Sequence, residues 1–318
     1  MTIDKSIYLI ALLLNKIVNR ITKNVFQLYF ISYIVEHRYQ KQLNRYTERI
    51  NSLSDADLNI VRGILDNGVF VTSLDQLKIP NTEKLLNCCE QVLPKLISSL
   101  PNSKKQFYIC NSSNDALLHT DIYLWGLETR LLNIIENYIC LPVAYHGIYL
   151  RKDLANNVVR KSRLWHIDKE DRRMLKIIIY LNDVDRDNGC FQYIDKCHTN
   201  RIYRQLKYNH EYIKSDRIKN VVSESEWISC SGKAGTVIFA DTSSVFHRGK
   251  LPQTSDRLAL FFDYTSIYPL RPYYCKPSFP VADLLTLSTK FTPRHRNCVF
   301  WNRNLRSALT KFERNFNG

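Results

Sequence analysis

The sequence predicts an α+β, mainly β fold in which helices buttress a β-sandwich or barrel. Two observations lead there. Helical signals dominate the first 140 positions, whereas between 145 and 266 the apolar residues gather in short runs rich in Val, Ile, Phe and Tyr. Turn clusters such as Asp185-Arg186-Asp187-Asn188-Gly189 separate those runs. Composition agrees: 318 residues, 45% apolar and 12% aromatic with only 9 Gly and 10 Pro, describe a folded globular chain rather than a disordered or collagenous one.

Taken in order, residues 7–14 are an unbroken apolar run of eight, too short to span a bilayer and with no small-residue cleavage site behind it, so secretion is disfavoured. Over 10–34 the residues Leu14, Ile17, Val18, Ile21, Val25 and Leu28 recur at helical spacing, with Asn15, Lys16, Asn19, Arg20, Lys23 and Asn24 on the other face. This is a long amphipathic helix that either packs on the rest of the protein or rests on a membrane surface. Ser54-Asp55-Ala56-Asp57 caps a helix over 58–65, which Asn67-Gly68 closes before a strand at 69–72. Further helices are expected at 82–100 and 124–138, and strands at 146–150, 175–181, 191–194, 236–240 and 258–264. A polar, mixed-charge insert at 199–232 interrupts the strands, the kind of segment that forms lids or substrate walls. The division expected is an N-terminal helical extension over 1–52 and one domain over 53–318. Within that domain lie a core at about 145–266, the 199–232 insert and a basic C-terminal flank at 268–318.

The net charge of +15 sits at the ends. Residues 1–50 hold eight Lys/Arg against three Asp/Glu and residues 268–318 nine against two, so the 217 residues between keep only +3. Such flanks attract phosphate-bearing substrates, membrane surface or nucleic acid without choosing among them. Nine scattered Cys, an odd number with no Cys-x-x-Cys, argue against a zinc ribbon, a redox dithiol or a fully paired disulfide framework, and fit a reducing cytoplasm.

The chemistry centres on Trp165-His166-Ile167-Asp168 and the strand-like run behind it. In a His-x-Asp pair on extended chain both side chains share one face, so imidazole and carboxylate converge. A second imidazole is available at His247, beside the run 235–240, and ten residues later Arg257 opens the run 257–262. Two imidazoles and one carboxylate on one face of an octahedral iron leave three adjacent positions open. Two of these accept a chelating oxo-acid and one accepts dioxygen. The far carboxylate of that chelate needs a cation, and an Arg fork meets it bidentately, the role Arg257 fits. The other histidines, His37, His119, His146, His198, His210 and His295, lack this pattern and read as surface or core residues.

The ordered set Trp165-His166-Ile167-Asp168, then Leu175-Lys176 to Tyr180-Leu181-Asn182-Asp183-Val184, then Asn188-Gly189-Cys190-Phe191 with Cys197-His198, then His247-Arg248-Gly249 and Arg257, resembles the phytanoyl-CoA dioxygenase family of Fe(II)- and 2-oxoglutarate-dependent oxygenases. The likeness spans about residues 145–266, and residues 63–72 are similar to that family's opening element. The resemblance implies a double-stranded β-helix, the jelly-roll or cupin-like architecture. It implies His166, Asp168 and His247 as iron ligands, Arg257 as the 2-oxoglutarate clamp, and dioxygen as co-reactant. Lys176 shares strand parity with Ile178 and Tyr180; inward, it lines the cosubstrate or substrate pocket, and outward it is a solvated lysine. One departure stands out: the family's Pro-Gly-Ser-His turn is Asp195-Lys196-Cys197-His198 here, which keeps only the histidine. Because Asp168 is a carboxylate, where related halogenases carry a small residue, hydroxylation is expected over halogenation.

Three functions remain open at this point. The first is a small-molecule hydroxylase, anionic substrates included, that releases succinate and carbon dioxide. A nucleic-acid oxidative demethylase would use the same iron chemistry. The third is a non-catalytic scaffold whose basic ends bind membrane, through residues 1–35, or nucleic acid.

Overall fold

The computed structural model describes residues 29–47, 50–110 and 120–316. Most of the amphipathic helix expected over 10–34 lies outside these residues. The last part of that span belongs to a helix at Tyr29–Thr47, whose Tyr39 is buried in the main core. Arg172 anchors that helix: its guanidinium lies 3.9 Å from the Tyr39 ring and pairs with Glu36.

Among the described residues, nine strands form two facing antiparallel sheets. They are β1 (Val69–Ser73), β2 (Tyr108–Cys110), β3 (Val143–Asp153), β4 (Leu175–Tyr180), β5 (Phe191–Tyr193), β6 (Ile228–Cys230), β7 (Thr236–Asp241), β8 (His247–Gly249) and β9 (Arg257–Ser266). The major sheet runs β1-β7-β4-β9-β3-β2 and the minor sheet β6-β5-β8. From β4 onward the chain passes back and forth between them, β4 in the major sheet, β5 and β6 in the minor, then β7, β8 and β9 in major, minor and major. That winding is the double-stranded β-helix. Backbone bridges Trp165↔Ile213 and His166↔His247 extend the minor sheet past β8.

Alternation along the major sheet assigns its faces. Leu175, Ile177, Ile179, Val237, Phe239, Leu260 and Phe262 pack under the helices as the main core, while Lys176, Ile178, Tyr180 and Phe261 turn toward the minor sheet. Strand β3 changes phase at a bulge between Tyr145 and Gly147. Gly147 is required there: its φ is +105°, and a Cβ would stand 2.0 Å from Ser278 Oγ. Ahead of the bulge Tyr145 packs in the helix-covered core, and beyond it Ile148 and Leu150 do; Tyr149, Arg151 and Asp153 therefore face inward.

The helices mostly follow the sequence. Ser54 Oγ accepts from Asp57 N at the start of Asp55–Asn67, and Gly68 closes it at φ +81°. The helix expected over 82–100 is Thr82–Ser98, and Lys152 donates to the carbonyls of Ile97 and Ser99 where it ends. The helix expected over 124–138 is two, Thr120–Trp125 and Thr129–Ile139. They break at Gly126, where a Cβ would stand 2.4 Å from the Tyr145 hydroxyl and whose carbonyl accepts from Tyr264 Oη. Asp195-Lys196-Cys197-His198 forms a helix cap instead of a turn: the Asp195 carboxylate accepts from His198 N and meets its Nδ1 at the head of Lys196–Gln205.

The two regions hardest to read are both built in. Phe279, Leu284, Phe291, Val299, Phe300 and Leu305 of the basic C-terminal flank are buried in the main core, and Tyr123 stacks on Phe279 and Phe291. The 199–232 insert has a core of its own, in which Ile202, Tyr208, Ile213, Ile218 and Trp227 close over Trp165, Ile167 and Phe246. All nine cysteines are free. Among the described residues, no helix is long and apolar enough to cross a membrane.

Candidate metal and cosubstrate site

The His-x-Asp segment is fixed from both sides. Trp165 exchanges backbone hydrogen bonds with Ile213 of the insert, His166 with His247, and Asp168 N donates to Thr242 O. Tyr208 Oη accepts from Ile167 N. The alternation expected from the sequence therefore holds: Trp165 and Ile167 enter the insert's core, while His166 and Asp168 face the cavity.

Both imidazoles are oriented by the backbone. His166 Nδ1 lies 2.9 Å from Leu164 O and His247 Nδ1 lies 3.2 Å from Val245 O, contacts in which only a protonated Nδ1 can donate. Each Nε2 is thereby left as a lone-pair donor aimed at one carboxylate: His166 Nε2 is 3.7 Å from Asp168 Oδ1 and His247 Nε2 is 3.9 Å from Oδ2. The three ligand atoms lie within 4.8 Å of one another. Two neutral imidazoles and a carboxylate so placed fit a divalent iron, with the backbone carbonyls fixing each ring.

Burial keeps the imidazoles neutral, lowering His166 and pushing His247 down to about 3. Burial alone would raise Asp168, but the Lys176 ammonium 2.8 Å away, together with the two histidines, holds its carboxyl well below the usual range. Lys176 therefore points inward, the first of its two sequence readings. Burial disfavours its charge, and Asp168, then Asp263 and Glu170, outweigh that and hold it above the ordinary lysine value. Burial raises both Asp263 and Glu170.

The cavity in front of these groups has a volume of about 290 Å³. Arg257 lines it but is already engaged. Its Nε and Nη2 donate to Asp153 Oδ2 at 3.2 and 2.6 Å, and its Nη1 to Gly189 O at 2.6 Å. A Cβ on Gly249 would stand 3.2 Å from Arg257 Nη2, so the glycine leaves that side of the fork open to the cavity. Arg151 and Asp153 are wall residues that the sequence reading missed, because the β3 bulge that turns them inward leaves no mark in hydropathy. Asp263 was within reach: it is six residues from Arg257 on one continuous strand, hence on the same face, and it pairs across β9 and β4 with Lys176. Tyr212 of the insert, also missed, sets its ring 5.0 Å from that of His166.

Residues 157–257 match the profile of the family described as phytanoyl-CoA dioxygenase. The match takes in His166, Asp168, Lys176, His247 and Arg257. No curated protein matches the sequence. Among solved structures, EctD from S. alaskensis with 2-oxoglutarate and 5-hydroxyectoine is 17% identical with a TM-score of 0.47, covering 72% of this chain and 86% of that one. HygX from Streptomyces hygroscopicus with nickel, 2-oxoglutarate and hygromycin B is 16% identical with a TM-score of 0.43, covering 67% and 88%. At these identities and scores neither likeness assigns a ligand to this chain. The family match over residues 157–257 and the convergent donor set support a 2-oxoglutarate-dependent non-haem iron dioxygenase.

Proposed function

We propose that this dioxygenase hydroxylates a small molecule, with His166, Asp168 and His247 holding Fe(II) and Arg257 receiving the distal carboxylate of 2-oxoglutarate. The observation that carries the reading is the convergence of two backbone-oriented Nε2 atoms on one buried carboxylate. When bound, iron with 2-oxoglutarate and dioxygen supplies the oxidation of substrate, with release of succinate and carbon dioxide.

The chain's own residues position and shield. Leu164 and Val245 carbonyls keep the ligand rings in one tautomer, and Lys176 keeps Asp168 ionised. Asp153 aims the Arg257 fork along the wall while Gly249 leaves it reachable. Phe191, Phe261 and Ile178 give the reacting carbon an apolar surround that limits water. The Asp168 carboxylate occupies the place a halide would need, which supports hydroxylation.

A cavity of about 290 Å³ suits the reacting end of a small molecule beside 2-oxoglutarate. The basic C-terminal flank, which in sequence chose no particular anionic partner, contributes its apolar residues to the core and pairs Arg294 with Glu136 and Arg296 with Glu313. Residues 53–318 act as the dioxygenase unit in this reading, and the segment before 53 is an extension laid onto it through Tyr39. Peripheral membrane contact through residues 1–35 and a cytoplasmic location belong to the same reading.

The test is Fe(II)-dependent conversion of 2-oxoglutarate to succinate. The wild type should turn over, and His166→Ala and His247→Ala should not. Arg257→Lys should weaken 2-oxoglutarate roughly tenfold or more, the worth of a lost charge-assisted fork. Undiminished succinate formation in either histidine variant would sink the metal assignment. An unchanged 2-oxoglutarate dependence in the arginine variant would remove Arg257 from the clamp.

A further inference from the structure

The inward wall carries two guanidinium groups on one carboxylate. Asp153 Oδ1 accepts from Arg151 Nε at 2.9 Å and from its Nη2, while Asp153 Oδ2 accepts from Arg257. The three side chains are 15%, 4% and 3% exposed for Arg151, Arg257 and Asp153. Two cations sharing one anion in a desolvated wall leave a positive charge uncompensated. Such an arrangement is costly unless an anion completes it.

The two arginines are not equivalent. Arg257 donates from Nε, Nη1 and Nη2 to protein oxygens. Arg151 Nη1 has no acceptor among the described residues, and Nη2 also reaches Ser162 Oγ at 3.3 Å. The Arg151 guanidinium is immobilised, lying 4.2 Å from the Tyr108 ring centre. Arg151, Ser162 and Tyr149 line the same cavity as the His-Asp-His cluster. A rigid, partly desolvated fork with a free N–H beside a hydroxyl is an oxyanion subsite.

We propose that Arg151 and Ser162 form a second anion subsite of the cavity, which binds a carboxylate or phosphate of the molecule to be oxidised while Arg257 serves the cosubstrate. The substrate class is thus small molecules that carry an oxyanion. The assignment rests on the dioxygenase reading for its link to oxidation, but the anion subsite itself stands on Arg151 and its neighbours.

The experiment uses Fe(II)- and 2-oxoglutarate-loaded protein kept free of oxygen, with butanoate and methyl phosphate as separate probes followed by calorimetry. Wild-type protein should bind at least one probe, and the preference between them tells carboxylate from phosphate. Arg151→Met and the more polar Arg151→Gln should bind that probe at least about tenfold more weakly. Asp153 keeps Arg257 as a partner in both, so 2-oxoglutarate affinity should stay within about threefold of wild type. Equal probe binding by wild type and both variants, or none by wild type, would overturn the subsite. Loss of 2-oxoglutarate affinity matching the loss of probe would also overturn it, by assigning Arg151 to the cosubstrate clamp. Arg151-dependent probe binding in a wild type that takes up no 2-oxoglutarate would uphold the subsite and instead defeat the dioxygenase reading.

Discussion

The two faces of the major sheet are made by the same strands and obey different rules. On β4, Leu175, Ile177 and Ile179 enter the main hydrophobic core, where Asp241 opposite Leu175 accepts from the Tyr138 hydroxyl, whereas Lys176 on the opposite face meets Asp168 and Asp263. On β9, Leu260 and Phe262 face the helices while Arg257 and Asp263 face the cavity. One face is stabilised by removing area from water, at roughly 25 cal/mol per Å². The other carries buried charges that are tolerable only because each has a partner, in the protein or in a ligand. Stability is concentrated on one side of a single layer, and chemistry on the other.

The sharpest way to break that comparison is to remove a ligand from the cavity face. His247→Ala should drop succinate formation to background while leaving the thermal unfolding profile of the folded protein recognisable. If turnover survives, the cavity face is not the chemical one. Next in size, Phe262→Ala on the opposite face should cost about 3–5 kcal/mol in denaturant unfolding, with turnover per folded molecule unchanged. A fall in turnover without a fall in stability would show that the faces are coupled.

His146 sharpens the boundary between them. It sits in the β3 bulge, fully buried, with Nε2 2.8 Å from Thr265 Oγ1, and burial holds it down to about 4. Its folded value lies below the ordinary 6.5, so the unfolded chain binds the proton first. The stability His146 contributes is complete above pH 6.5 and lost as the pH falls toward 4, by about 3 kcal/mol in all. In His146→Gln the loss of stability over that window should be shallower by about one proton. Identical pH slopes in chemical denaturation would exclude His146 as the source. The smallest effect is expected for Lys176→Met, which should raise the 2-oxoglutarate requirement roughly tenfold and leave iron binding in place. An unaltered requirement would confine Lys176 to its ion pair with Asp168.

The helix-covered face was largely legible in the sequence, because apolar alternation and capping residues are local signals. Ser54 and Gly68 bound their helix as read, and the runs at 175–181, 236–240 and 258–264 became β4, β7 and β9. The convergence of His166, Asp168 and His247 was legible for a related reason: His166 and Asp168 share strand parity, and His247 begins a neighbouring strand. The rest depends on long-range geometry. Arg151 faces the cavity, and Asp153 reaches Arg151 and Arg257 on that side of the sheet, only after the bulge at Tyr145/Gly147 shifts the phase of β3. The insert's core is spread thinly over Ile202, Tyr208, Ile213 and Ile218 within a polar stretch, so Tyr212 gave no sign of reaching His166. The C-terminal flank showed its charge more plainly than the apolar residues it lends to the main core.

The central claim is that the cavity face holds iron and 2-oxoglutarate together. The most direct test is to add Fe(II) and then 2-oxoglutarate to metal-free protein without oxygen and record the weak visible charge-transfer band of the chelate. A band is expected in the wild type and in Phe262→Ala, and none in Asp168→Ala. A folded wild type without the band, or an Asp168→Ala protein that keeps it, would show that this face does not hold iron and 2-oxoglutarate together.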